Sequence, residues 1–437
     1  LGRAEKTDYA ALPYRDSYHK MNIWAQAMRW KFTNEKVEFH RIDGKQVVPV
    51  RLESFDYFKK DRMREISQEF GSQPLLMAAN YTQTEKKTSF LAEDLATKFK
   101  QNPKTLRRTL ERLTLEGYFI YNEPTDQFAI SKKGGLYILG NLDKTDYDNF
   151  QITSQYTSSD EIANATIFLP DTTLTILGVS KFIVSDSLKI YGVPSNKKVV
   201  MGKNRNFTMS GQLVASNYQF RGHDLKFDYN KFFFFFCPND SITFTPKEKY
   251  TKGQTGEVGA HVKYDKGGTF YLSDPQNKSG VQKTKKATPR LVVPDGMLVY
   301  FDQPERGTLL YPKEVFFKIP KIDMDGLDNR DVIFEGTFNA NGIIPSFQTT
   351  LKSMPDNSLG FEHKLPATEM KIYGGKAIAK FTDTLSMDNN GLQAEGILKY
   401  LSATMTAKHI SLMSDSLKAT GDIANIKEAT IGKGYFP

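Results

Sequence analysis

The run Gly391-Leu392-Gln393-Ala394-Glu395-Gly396-Ile397-Leu398-Lys399-Tyr400, followed by His409-Ile410-Ser411-Leu412-Met413 and by Leu417-Lys418-Ala419-Thr420-Gly421-Asp422-Ile423, decides the fold class of this chain. Apolar and polar residues alternate along each run, the pattern of half-buried strands, and glycines punctuate them as stacked strands require. Upstream, short β runs are separated by the turn pairs Gly267-Gly268, Asn341-Gly342, Gly374-Gly375 and Asn390-Gly391. Beyond about Ala165 this regular spacing favours an all-β sandwich, jelly roll or solenoid. Ser185-Asp186-Ser187-Leu188-Lys189-Ile190-Tyr191-Gly192 returns as Ser414-Asp415-Ser416-Leu417-Lys418-Ala419-Thr420-Gly421, which hints at two related sheets. The run Phe232-Phe233-Phe234-Phe235-Phe236 before Cys237 predicts a strand covered on both faces, because alternate rings would otherwise lie in water. It is read as a strand central to two layers, or as one lining an apolar groove for a lipid or a partner strand.

The front differs. Asn22 to Phe32 and Lys36 to His40 alternate like strands, Asp43-Gly44 turns, Gln46 to Leu52 makes another strand, and a charged helix follows near Phe55 to Phe70. Residues 88–133 then take helical spacing through Leu91, Leu95 and Phe99. Asn102-Pro103 opens a second helix as N-cap and first-turn proline, Leu106, Leu110, Leu113 and Leu115 form its stripe, and Gly117 ends it. Tyr118 to Tyr121 and Gln127 to Ser131 complete a hairpin.

The chain has 437 residues, 39% hydrophobic, 12% aromatic and 25% charged, ample for a large core. Its formal charge of +9 comes from 59 basic and 50 acidic residues interleaved along the sequence, which speaks against dense nucleic-acid coating. Cys237 is the only cysteine, so the chain has neither an intrachain disulfide nor a cysteine-based zinc site. The longest apolar stretch, Phe232 to Cys237, is too short to cross a bilayer as a helix. Opening on Leu1-Gly2-Arg3 reads as a processed protein or a piece of a longer one.

No constellation with catalytic spacing is visible, and no enzyme, cofactor or metal is expected. His19, His40, His223, His261, His363 and His409 stand singly, and neither a nucleophile elbow nor a P-loop nor a dinucleotide fingerprint appears. Asp323, Asp325, Asp328, Asn329 and Asp331 superficially suggest calcium, but Gly326 comes too early for an EF-hand and the closing acid is missing, so a polar turn is expected.

The stretch from Phe90 to Tyr121 resembles the winged-helix fold of transcription regulators. That resemblance implies a nucleic-acid face of Lys104, Thr105, Arg107 and Arg108 on the second helix, with Lys132 and Lys133 on the wing. Residues 86–133 hold ten basic and six acidic side chains, a net of +4, compatible with weak phosphate contact only. Packing against β neighbours, or a protein-interaction role, is the favoured reading of this module. The motifs around Thr172, Ser187, Ser241, Thr384 and Ser416 each place a hydroxyl after an aspartate, similar to the acceptor motif of periplasmic O-glycosylation in Bacteroidota; the plain alternative is an Asp-capped turn.

Tyr18 to Trp24, Asn141 to Asp148, Pro275 to Gly280, Phe338 to Phe347 and Met370 to Lys376 resemble segments of very large exported Bacteroidota proteins, and the last hundred residues are faintly similar to the β-jellyroll proteins of lipopolysaccharide transport. The expectation is therefore a mainly β chain with a small α+β insert. It is an antiparallel sandwich, jelly roll or stacked β unit, divided into a β segment 1–58, a winged-helix-like module 59–140, a β-rich unit 141–330 and a β-rich unit of stacked strands 331–437. The expected function is interaction or scaffolding with protein partners in the cell envelope, in the periplasm or at the outer membrane. Nucleic-acid binding, and lipid or glycan carriage, stand as the alternatives.

Overall fold

The computed structural model describes residues 13–41, 49–155, 162–215, 218–237, 241–244, 261–263, 267–283, 288–302, 311–325, 333–356, 358–421, 423–427, 429–431 and 434–436. The protein is mainly β, 47% strand and 19% helix, with antiparallel sheets and an α+β insert. It has two compact units: Leu1–Ala215 with Lys226–Phe233 and Ser273–Lys286, and Ser216–Leu225 with Phe234–Leu272 and Ala287–Pro437. The chain returns to the first unit twice after leaving it.

In the first unit the strands are β1 Tyr14–Asp16, β2 Met21–Trp24, β3 Ala27–Lys31, β4 Lys36–His40, β5 Val50–Ser54, β6 Ser89–Phe90, β7 Phe119–Asn122, β8 Gln127–Ile130, β9 Gln151–Ser154, β10 Ala165–Phe168, β11 Thr173–Leu177, β12 Phe182–Ser185, β13 Ile190–Pro194, β14 Lys198–Met201 and β15 Phe207–Ala215. Twelve of them form one antiparallel succession, β1-β2-β5-β9-β12-β13-β15-β14-β11-β10-β4-β3. Tyr14 of the first strand packs on Phe39 of β4, ring centroids 5.6 Å apart, so the two ends of this sheet curl toward each other over a shared core. That core centres on Phe150, Phe182, Phe207, Phe227, Tyr229 and Phe232, linked by ring contacts of 4.7–6.2 Å.

The residues between β5 and β9 form the helical insert: α1 Lys60–Phe70, α2 Pro74–Glu85, α3 Ala92–Phe99, α4 Pro103–Leu115 and α5 Lys132–Asn141, with the small sheet β6-β8-β7. Phe58, Phe90, Leu95, Leu106, Leu110, Leu113, Phe128 and Tyr137 are among its buried side chains. Leu115 departs from the expected stripe, 62% exposed at the last position of α4. Helices α2 and α5 were not legible; α5 carries Gly134, Gly135 and Gly140, which weaken helix propensity. Packing requires Gly134, where a Cβ would lie 2.3 Å from the Tyr118 carbonyl oxygen, and is tight at Gly140, where a Cβ would lie 3.3 Å from the Phe58 ring.

The second unit contains β16 Tyr218–Asp228 (its first part), β17 Phe233–Phe236, β18 Ser241–Phe244, β19 His261–Lys263, β20 Gly268–Tyr271, β21 Arg290–Val293, β22 Met297–Tyr300, β23 Phe316–Ile319, β24 Ile322–Met324, β25 Ile333–Asn339, β26 Phe347–Ser353, β27 Leu359–Lys364, β28 Met370–Ile372, β29 Ala377–Phe381, β30 Thr384–Asp388, β31 Gly391–Tyr400, β32 Ala403–Leu412, β33 Leu417–Thr420, β34 Ile423–Ile426, β35 Ala429–Ile431 and β36 Gly434–Phe436. Long strands divide their two halves between different partners. The start of β31 pairs with β30 and its end with β29, across a bulge between Ala394 and Gly396; β32 likewise pairs with β33 and with β34. Tyr311 joins the middle of this array, its hydroxyl donating to the Leu412 carbonyl (2.5 Å) and accepting from the Leu392 amide (2.9 Å).

The phenylalanine run is not covered on both faces. In the phenylalanine run, Phe232, Phe234 and Phe236 are fully buried, whereas Phe233 is half-buried and Phe235 is 37% exposed, so one face of this strand does meet solvent. The rings of Phe234 and Phe236 close against Phe220 and Phe270 at 4.4–5.6 Å instead of lining an open groove. The two Ser-Asp-Ser-Leu-Lys copies both lie at hairpin turns, but Ser185 pairs with Ile190 and Leu412 with Leu417, so their turns fall two residues apart in the aligned repeat.

Candidate functional site

The helix face read from the sequence starts at a well-made N-terminus. The Asn102 side chain accepts the Thr105 amide at 3.1 Å, a cap worth about 1 kcal/mol, and Pro103 fills the first turn. Lys104, Thr105 and Arg108 are exposed on this face. Arg107 is engaged: its guanidinium donates to both Asp126 oxygens (2.9 and 2.7 Å), to Glu111 (2.9 Å) and to the Tyr121 hydroxyl (3.2 Å), and Tyr121 donates to Asp126 at 2.7 Å. The hydrogen bonds from Arg107 and then Tyr121 hold the Asp126 carboxyl down at about 2. The loop between β7 and β8 thus carries Glu123 and Asp126 beside the helix that would enter a groove, and phosphates approaching it would meet carboxylates.

Lys132 and Lys133 lie on the first turn of α5 and not on the hairpin. Ser131 caps that helix by accepting the Gly134 amide (3.0 Å). Lys132 is open to solvent, 3.4 Å from Asp56. Lys133 folds inward, donates to the Glu116 carbonyl at 2.8 Å and lies 4.4 Å over the Tyr118 ring; burial pushes its amine below the usual lysine value. Of the six proposed contacts, the fold leaves Lys104, Thr105, Arg108 and Lys132 outward and commits Arg107 and Lys133 to internal bonds.

A second surface was not singled out from the sequence. Registers place Trp30, Val37, Ile167, Leu174, Met201 and Phe207 in one row across β3, β4, β10, β11, β14 and β15. Leu174, Met201 and Phe207 are buried, Val37 and Ile167 are half-buried, and Trp30 is 50% exposed. The core face of the sheet therefore continues past its cover and ends on an uncovered ring. Phe32, 78% exposed, stacks on Trp30 with centroids 5.1 Å apart and planes 19° apart. Among the described residues β3 pairs with β4 only, so its other edge presents backbone groups beside these rings. The available signal was the placement of Trp30, one of two tryptophans in the chain, two residues before Phe32.

The five hydroxyls following aspartates occupy turns or strand starts. Asp171 accepts the Thr173 amide at 3.0 Å while Thr172 donates to the Tyr18 hydroxyl at 2.8 Å; Ser187 donates to the Ser279 carbonyl; Ser416 is exposed and bonds Asp415 at 2.9 Å; Thr384 opens β30, half-buried. Ser241 opens β18, and its side chain lies outside the described residues, as do Gly326, Asp328, Asn329 and Asp331 of the calcium-like stretch. Asp323 is taken by Arg290 through two 2.8 Å bonds. Among the described residues no group of three or more His, Cys, Asp or Glu could hold a metal, and no helix is long and apolar enough to cross a membrane. No family model, curated protein or solved structure matches this chain.

Proposed function

We propose that this protein is a non-enzymatic interaction or scaffold component of the bacterial cell envelope that engages partner proteins at the β3 edge. The observation that carries the reading is the Trp30–Phe32 pair at the open end of an otherwise buried apolar row. Large aromatic rings dominate the binding energy of protein interfaces, and burying one such side chain is worth roughly 1.5–3 kcal/mol. A partner strand added to β3 would satisfy its edge and cover both rings in one step. The envelope placement rests on the resemblance to exported Bacteroidota proteins.

A photo-reactive amino acid at Phe32 in the native host tests the reading. A discrete protein adduct in the envelope fraction, absent when Trp30 is changed to Ser, is the expected result; adducts with nucleic acid alone, or none, would overturn it. The helical insert follows the order helix, strand, helix, helix, hairpin of winged-helix modules, and the exposed Lys104, Thr105 and Arg108 support nucleic-acid binding as the second reading. The Arg107–Asp126 bond and the acidic loop weigh against it. Gel shift with duplex DNA at low salt separates the two.

A further inference from the structure

The outward face of the last strands carries a polar row that the core does not use. Glu362, Ser386, Gln393, Ser411 and Lys418 stand side by side across β27, β30, β31, β32 and β33. Lys364 opposes Thr384 one step along the same face. On the reverse face the corresponding row is Phe361, Met387, Leu392 and Leu412, each fully buried. The apolar row fixes the sheet, and the polar row faces outward.

Glu362, Lys364, Thr384 and Ser386 line an open trough of about 460 Å³, within the size range of small-ligand sites. Its lining is a carboxylate, an ammonium and two hydroxyls. Glu362 is paired with Lys352 at 2.7 Å, which leaves Lys364 as the cation lining the trough. Hydroxyls that both donate and accept suit a ligand that does the same, and the remaining cation suits one that also bears a carboxylate.

We propose that this trough binds an acidic glycan, a polyhydroxylated chain carrying uronate-type carboxylates. Lys364 pairs with a carboxylate, Thr384 and Ser386 exchange hydrogen bonds with ring hydroxyls, and the chain runs across the strands toward Gln393, Ser411 and the second cation, Lys418. Neighbouring strands are spaced about 4.8 Å apart, so successive polar residues meet the chain at regular intervals. This site is independent of the β3 edge.

Calorimetric titration of the whole protein with a galacturonate hexamer, and with a glucose hexamer as its neutral counterpart, tests the proposal. The uronate hexamer should bind and the glucose hexamer should bind at least tenfold more weakly. Lys364→Glu should weaken uronate binding at least tenfold, and Ser386→Trp should block it, both with an unchanged melting temperature. If Ser386→Trp unfolds the protein, Thr384→Ala takes its place, with a several-fold loss expected. No binding of the uronate hexamer at millimolar concentration, equal affinity for the neutral one, or unchanged affinity in Lys364→Glu would each overturn the assignment.

Discussion

Arg107 and Asp126 form a solvent-exposed two-bond pair, 2.9 and 2.7 Å, that ties helix α4 to the loop between β7 and β8 and engages the guanidinium donors that a phosphate would otherwise meet. Its protonation behaviour is directly measurable. Asp126 is held at about 2, below its ordinary 3.8, so the pair is intact above pH 4 and is lost as pH falls through 2. A carboxyl-carbon NMR titration should show this depressed midpoint, and Arg107→Ala should return it to the ordinary range. A midpoint near 4 in the unmodified protein would refute the pairing.

The α4 stripe makes a paired prediction. Leu110 is fully buried, so Leu110→Ala should cost about 2–5 kcal/mol, whereas Leu115→Ala at the exposed end should fall within about 0.5 kcal/mol of the parent. Denaturant unfolding followed by the helical circular-dichroism signal distinguishes them, and equal losses would contradict the observed burial.

Asp146 fastens a distant loop. Its carboxylate accepts the Lys278 and Ser279 amides (2.8 and 2.9 Å) and the Ser279 hydroxyl (2.6 Å). With charge-assisted bonds worth about 1.5–3 kcal/mol each, Asp146→Ala should release residues 277–280. Hydrogen exchange at the Lys278 and Ser279 amides should accelerate at least tenfold while protection in β13 stays unchanged.

Asp148 is buried with Arg205 bonded to it, and Arg205 lies 4.5 Å over the Tyr229 ring. Burial pushes the Asp148 carboxyl up, and Arg205 opposes that shift. Removing the cation alone by Arg205→Met should cost about 3–5 kcal/mol, because it takes the bonded cation away from a buried carboxylate. Combining it with Asp148→Asn should recover part of that loss in thermal unfolding.

What the sequence revealed followed the strength of its local signals. Alternation from Gly391 to Tyr400 and the Asn102-Pro103 helix start are set by nearest neighbours, and both elements lie where they were read. Helix α5 was hidden because three glycines, one of them dictated by the Tyr118 carbonyl, mask its period. The engagement of Arg107 depends on Asp126, nineteen residues away, and no local pattern announces that contact. The trough at Glu362 and Lys364 was equally invisible, since it exists only once β27 and β30 are laid in register. The uncovered ring of Trp30 likewise belongs to a row assembled from six strands.

The helical insert leaves and re-enters the sheet between two strands that are hydrogen-bonded to each other: Leu52 faces Ile152, and the Ser54 amide donates to the Phe150 carbonyl at 3.1 Å. Tension between the chain entering β5 and the chain leaving β9 would therefore be borne first by the β5–β9 bonds, opened one after another from the Val50–Ser154 end. As long as those bonds hold, the five helices carry no load, and a partner gripping them would be insulated from mechanical stress on the sheet.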